Sequence, residues 1–85
     1  MNILNKLEKI IEEVISNDWE GGKVTLTNET KILEEYGIDS IYAIQILSMI
    51  EEEFGIIIDD EDLQLSMLKD TSTIVDYIEK KKNNQ

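Results

Sequence analysis

From Asn2 to Ser16 the apolar side chains fall at Ile3, Leu7, Ile10, Ile11 and Val14, with Leu4 and Ile15 widening the same stripe. Apolar residues that return every three or four positions share one helix face, so the chain opens with an amphipathic helix that buries this stripe. Ser16-Asn17-Asp18 and Gly21-Gly22 then interrupt the pattern and predict a long connection. Trp19, Val24, Leu26, Ile32 and Leu33 make that connection too apolar for a free linker. They are expected to anchor it across the helices, with one helical turn near Glu29 to Glu35.

The second periodic stretch follows Gly37-Ile38-Asp39-Ser40-Ile41 and runs to Glu51-Glu52-Glu53-Phe54-Gly55. On a wheel of about 100° per residue, Ile46, Leu47, Ile50 and Phe54 lie within roughly 60° of Ala43 and form a buried face. The opposite face carries Ile41, Gln45, Ser48 and Glu52, with Ile44 and Glu51 at its border. Ile41 is therefore an apolar residue aimed away from the core, next to a serine at the mouth of the helix. Gly55 supplies the left-handed position that commonly closes a helix. Ile56-Ile57-Ile58 reads as an extended apolar connector. The acidic run Asp59-Asp60-Glu61-Asp62 then suits the start of a short third helix, with Leu63 and Met67 or Leu68 on its buried side. Thr71, Ser72 or Thr73 can cap a last helix that buries Ile74, Val75 and Ile78 and ends in Lys80-Lys81-Lys82, with Asn83-Asn84-Gln85 fraying. These elements predict an all-α bundle of three main helices and one short third helix, joined by a long first loop, in a single domain over residues 1–85.

Charge narrows the function. Nineteen acidic residues against 8 basic ones give a formal net charge of -11. Such a surface repels nucleic acid and anionic membranes and complements basic protein partners. At 41% hydrophobic residues the chain still has the material for a core, so it is not a disordered acidic tail. Cys and His are both absent. Thiolate metal sites, disulfides and the usual Ser-His and Cys-His nucleophile pairs are thereby excluded. The chain has no apolar run of about 20 residues and no signal-peptide pattern at its start, which predicts a cytoplasmic protein. Asp59 to Asp62 lack the spacing and central glycine of a calcium loop, so no metal site is assigned.

The candidate for chemistry is Ser40. A serine beginning a helix can simply cap an orphan backbone amide, and Asp39 can do so equally. Neither residue has Glu or Gln three places on, so no capping box selects one of them.

Gly37-Ile38-Asp39-Ser40-Ile41, with Ile44, Ile46 and Leu47 behind it and Glu51-Glu52-Glu53-Phe54-Gly55 closing the helix, resembles the acyl carrier protein family and its peptidyl carrier relatives. The resemblance spans most of the chain and implies an acyl-carrier-like four-helix bundle. It implies that Ser40 bears a 4′-phosphopantetheine arm whose thiol carries acyl or aminoacyl groups as thioesters, with Asp39 helping to present it. It also favours Ile41 and Ile44 as an apolar docking spot bordered by Glu51 and Glu52. The implied partners are a phosphopantetheinyl transferase and loading, elongating and offloading enzymes with basic docking surfaces. These would belong to fatty-acid, polyketide or nonribosomal-peptide-type biosynthesis. The protein would be a monomeric carrier and not an enzyme, because the cofactor supplies the reactive group. Three departures stand out: Tyr42 and Gln45 where fatty-acid carriers typically have acidic residues, Ile38 in place of a second glycine, and a Thr73-Ile74 pair unusually close to Tyr77. The rival reading is a cofactor-free acidic helical module that binds a basic protein, with Ser40 as a cap. An enzyme acting through carboxylates is a further rival, and it requires a pocket lined by paired Asp or Glu.

Overall fold

In a computed structural model, residues 3–16 and 22–83 are described. The expectations for Trp19, Gly21, Asn84 and Gln85 lie outside these residues. Helix α1 (Ile3–Ile15) buries Leu7, Ile10, Ile11 and Ile15, the stripe set by its sequence period, while Val14 is half-buried. It packs against α3 (Ser40–Phe54), which buries Ala43, Ile46, Leu47, Ile50 and Phe54. Each of these larger aliphatic side chains removed from water contributes about 1.5–3 kcal/mol, so the α1–α3 contact supplies much of the core. At its edge Lys6 pairs with Glu53 at 3.2 Å and lies 5.4 Å from the Phe54 ring centre.

The long connection is held to the bundle by its own alternation. Val24 and Leu26 point into the core while Lys23, Thr25 and Thr27 face solvent. An extended segment beside a core needs acceptors for its inward amides. Glu12 and Glu8, one turn apart on α1, supply them: the Val24 N–H donates to Glu12 Oε2 (3.1 Å) and the Leu26 N–H to Glu8 Oε2 (2.8 Å). The expected helical turn is α2 (Ile32–Tyr36), somewhat later than its predicted start, and it buries Ile32. Tyr36 Oη donates to the Thr25 carbonyl (2.9 Å) and accepts from the Thr25 amide (3.1 Å), which ties α2 to the extended segment.

Helices α2 and α3 close alike. Gly37 (φ 60°) and Gly55 (φ 65°) adopt the left-handed conformation that glycine enters without a Cβ penalty. The amides of Gly37 and Ile38 share the Leu33 carbonyl, as those of Gly55 and Ile56 share the Glu51 carbonyl. Ile38 and Ile56, the residues that follow, are both buried. This accounts for one departure noted above: at position 38 the chain seals the core with a side chain.

The connector after α3 alternates as an extended segment, with Ile56 and Ile58 buried and Ile57 75% exposed. Past it the structure corrects the predicted third helix. Two 3-10 turns, Asp60–Asp62 and Leu65–Leu68, replace a continuous helix; Leu68 is buried, Met67 half-buried, and Leu63, expected on the buried side, is 38% exposed. Four consecutive acidic residues repel one another, and Asp59 makes no side-chain cap. The turn therefore closes on tight carbonyl bonds, Asp62 N–H to Asp59 and Leu63 N–H to Asp60, and then stops.

Helix α4 (Thr71–Asn83) buries Ile74 and Ile78, with Val75 half-buried, and Lys80, Lys81 and Lys82 fall in its last turn. Its cap is Asp70 and not one of the three hydroxyl residues predicted for the role. Asp70 Oδ1 accepts from the Thr73 amide (2.9 Å), the Thr73 hydroxyl (2.7 Å) and the Ser72 hydroxyl (3.0 Å). Thr71 is spent elsewhere. Fully buried, it donates its amide (3.0 Å) and its hydroxyl (3.4 Å) to the Thr30 carbonyl, pinning the long connection to the start of α4. The architecture is the expected all-α bundle, and no strand occurs among the described residues.

Candidate functional site

Which of Asp39 and Ser40 caps α3 is decided by geometry. Asp39 has extended backbone angles (φ -90°, ψ -176°), and its Oδ1 accepts the Tyr42 amide at 2.9 Å, the bond from N-cap to third helical residue. The Asp39 carbonyl accepts the Ala43 amide at 2.8 Å and begins the helical ladder. Ser40 is thus the first helical residue and is relieved of capping. Its side chain is exposed, and among the described residues its hydroxyl is committed to no hydrogen bond. A primary hydroxyl held on a rigid helix mouth, at the positive end of the helix dipole, is open to an incoming electrophile. It also suits a permanently bound anion.

Beside Ser40 lies a cleft of about 180 Å³, lined by Ser40, Ala43, Ile44 and Leu47 from α3 and by Leu63, Gln64 and Leu65, where the first 3-10 turn passes into the second. Its lining is mostly aliphatic. Leu65 is 44% exposed, and with Leu63 it forms the outer lip. These two leucines were not foreseen at the site. The signal was present, because residues two apart in a helix diverge by about 200° and could not both have faced the core.

The other predicted site residues separate into two groups. Ile41 (65% exposed) and Ile44 (58% exposed) stand on the outer face of α3, as the wheel requires, and Glu52 is exposed further along the helix. Glu51 is different. It is half-buried, and its Oε2 accepts the Ile58 amide at 2.7 Å, so this carboxylate braces the connector after α3. Glu53 is paired with Lys6. Among the described residues, no three acidic side chains converge on a point where a metal ion would sit, and no helix is long and apolar enough to cross a membrane.

Comparison with known proteins places this architecture. Residues 5–78 match the family described as phosphopantetheine attachment site. An acyl carrier protein of Thermotoga maritima is 34% identical over 79 residues, covering 93% of this chain and 90% of its own. One from Rickettsia bellii is 30% identical over 84 residues, covering 95% of each. No solved structure matches. The chain belongs to the acyl carrier protein family. Membership implies a covalently attached 4′-phosphopantetheine as its prosthetic group.

Proposed function

We propose that Ser40 is the attachment point of the phosphopantetheine arm. The protein then acts as a carrier that delivers acyl or aminoacyl groups between enzymes of fatty-acid, polyketide or nonribosomal-peptide-type biosynthesis. The observation that carries this reading is the division of labour at the α3 mouth: Asp39 caps the helix, and the exposed Ser40 hydroxyl is left uncommitted. The group, when attached, supplies a terminal thiol that holds cargo as a thioester. The chain's own residues do the rest. The first turn of α3 fixes the direction in which Ser40 projects, and the dipole favours an attached phosphate by about 0.3–1 kcal/mol at an exposed position. The aliphatic cleft at Ala43, Leu47, Leu63 and Leu65 offers shelter to the first carbons of an apolar cargo.

Partner enzymes, the modifying transferase among them, would meet the same mouth. Ile41 and Ile44 give an apolar contact that sets dwell time, while Asp39 and Glu52 steer basic surfaces toward it. Glu51 contributes to the negative field, but its position is set by the Ile58 amide it holds. A carrier needs no catalytic residues of its own, and we read the protein as a cytoplasmic monomer.

The test is to incubate unmodified protein with coenzyme A and a broad-specificity phosphopantetheinyl transferase and to measure intact mass. The expected result is one phosphopantetheine per chain, and none on Ser40→Ala. Failure of the wild type to gain mass, or an equal gain by Ser40→Ala, would overturn the assignment and favour the cofactor-free acidic module.

A further inference from the structure

The cleft has one firm wall and one conditional one. On the α3 side, Ala43 and Leu47 belong to a continuous helix capped at both ends. On the other side, Leu63, Gln64 and Leu65 are all exposed, the first two lying between the short 3-10 turns and Leu65 beginning the second. Core side chains anchor this segment on either side of the lip: Ile58 before it and Leu68 after it are the nearest buried residues. Between those anchors Met67 packs half-buried against the core, and the side-chain bonds that reach the acidic run come from α4. Tyr77 Oη donates to Asp62 Oδ2 at 3.0 Å, next in sequence to the lip residue Leu63. Lys81 Nζ reaches Asp59 Oδ2 at 3.1 Å and lies 5.5 Å from the Tyr77 ring centre. Tyr77 and Lys81, one turn apart on α4, thus grip both ends of the acidic run that leads into the lip. Burial, and then the bond to Asp62, push the Tyr77 hydroxyl above its ordinary value, so at neutral pH it keeps its proton and can donate.

We propose that Tyr77 and Lys81 form a latch that governs how often the Leu63–Leu65 lip swings away from α3. The latch thereby sets how readily an apolar tail enters and leaves the cleft beside Ser40. The latch itself follows from the contacts of α4 alone; its consequence for cargo rests on the carrier reading above. A hydrogen bond to a charged acceptor is the strongest side-chain link available to so exposed a segment. The expected effect of losing it is about a five- to tenfold rise in opening, the equivalent of a typical net hydrogen bond.

Amide hydrogen exchange on the unmodified protein reads the latch directly. In Tyr77→Phe, which keeps the ring and loses the hydroxyl, amides of residues 60–68 should exchange about five- to tenfold faster while those of α1 and α3 hold their rates. Asp62→Asn should act in the same direction, and Lys81→Met more weakly. Acceleration spread evenly over all helices would mean that Tyr77 only supports global stability. Unchanged exchange in residues 60–68 for both Tyr77→Phe and Asp62→Asn would likewise overturn the latch. A separate arm uses protein modified at Ser40 and charged with a medium-length saturated acyl chain or with acetyl. Tyr77→Phe should speed hydrolysis of the longer thioester several-fold relative to acetyl. Equal effects on both, with faster exchange retained, would overturn the link to cargo. If Ser40 takes no arm, the carrier reading fails while the exchange result still decides the latch.

Discussion

The two walls of the cleft beside Ser40 come from adjoining stretches of sequence and are held by different means. Helix α3 puts Ala43, Ile46, Leu47, Ile50 and Phe54 into the core and ends in a left-handed glycine whose cap bonds are complete. The segment from Asp59 to Leu68 buries Leu68, shows two leucines to solvent, and is tied down by an exposed ion pair and a tyrosine. Packing is thus concentrated on the α3 side, which presents the exposed Ser40 hydroxyl, and is sparse on the lip across the cleft. A low-stability element beside a well-packed one is the usual arrangement for a binding lip.

The sharpest way to break this contrast is to truncate one side chain in each wall. Ile50→Ala removes a fully buried core side chain of α3 and should cost about 2–5 kcal/mol in urea or thermal unfolding. That is a large share of the total for a domain whose stability is expected to be about 5–15 kcal/mol. Leu65→Ala removes a side chain that is already 44% exposed and should cost less than about 1 kcal/mol. Comparable losses at the two positions would show that the lip is as firmly packed as α3.

The same contrast explains what could be read in the sequence. Helices α1 and α3 were legible because their apolar residues repeat at helical spacing with polar residues between, so burial and conformation follow from one pattern. Gly55 marked the end of α3 for a backbone reason that depends on no distant contact. The lip was not legible in this way. Leu63, Leu65, Met67 and Leu68 fit no single face, and the positions of Asp59 and Asp62 depend on Lys81 and Tyr77, well over ten residues away in sequence. The cap of α4 was misplaced for a related reason: Thr71 is an ordinary cap residue by type, but its hydroxyl is drawn to Thr30 across the bundle. At the site, the sequence narrowed the cap to Asp39 or Ser40 and the Tyr42 amide bond selected Asp39.

That selection gives the second prediction. Asp39→Ala leaves the Tyr42 amide without its acceptor and should lower stability by about 0.5–2 kcal/mol. Asp39→Ser or Asp39→Asn should restore most of it. Ser40→Ala, which removes a hydroxyl bonded to nothing among the described residues, should fall within about 0.5 kcal/mol of wild type. A Ser40→Ala loss equal to that of Asp39→Ala would return the serine to the role of a cap.

The smallest effect is the most diagnostic of how α4, the lip's support, is started. Hydrogen bonds from the Thr73 hydroxyl and amide, aided by Ser72 and Lys69, hold the Asp70 carboxyl below its ordinary value of 3.8. Between that depressed value and 3.8 the unfolded chain binds the proton more readily than the native one, so stability rises with pH across the interval. The contribution is complete above the ordinary value and is lost as pH falls through the native one. A chain with a formal net charge of -11 also repels itself, and that repulsion changes with pH independently of Asp70. Absolute stability would therefore mix two trends. The difference between wild type and Asp70→Ala cancels the shared one: it should stay constant from neutral pH down to about pH 4 and shrink below it. A difference that did not change with pH would mean that the Thr73 bonds do not distinguish the charged carboxylate from the neutral acid.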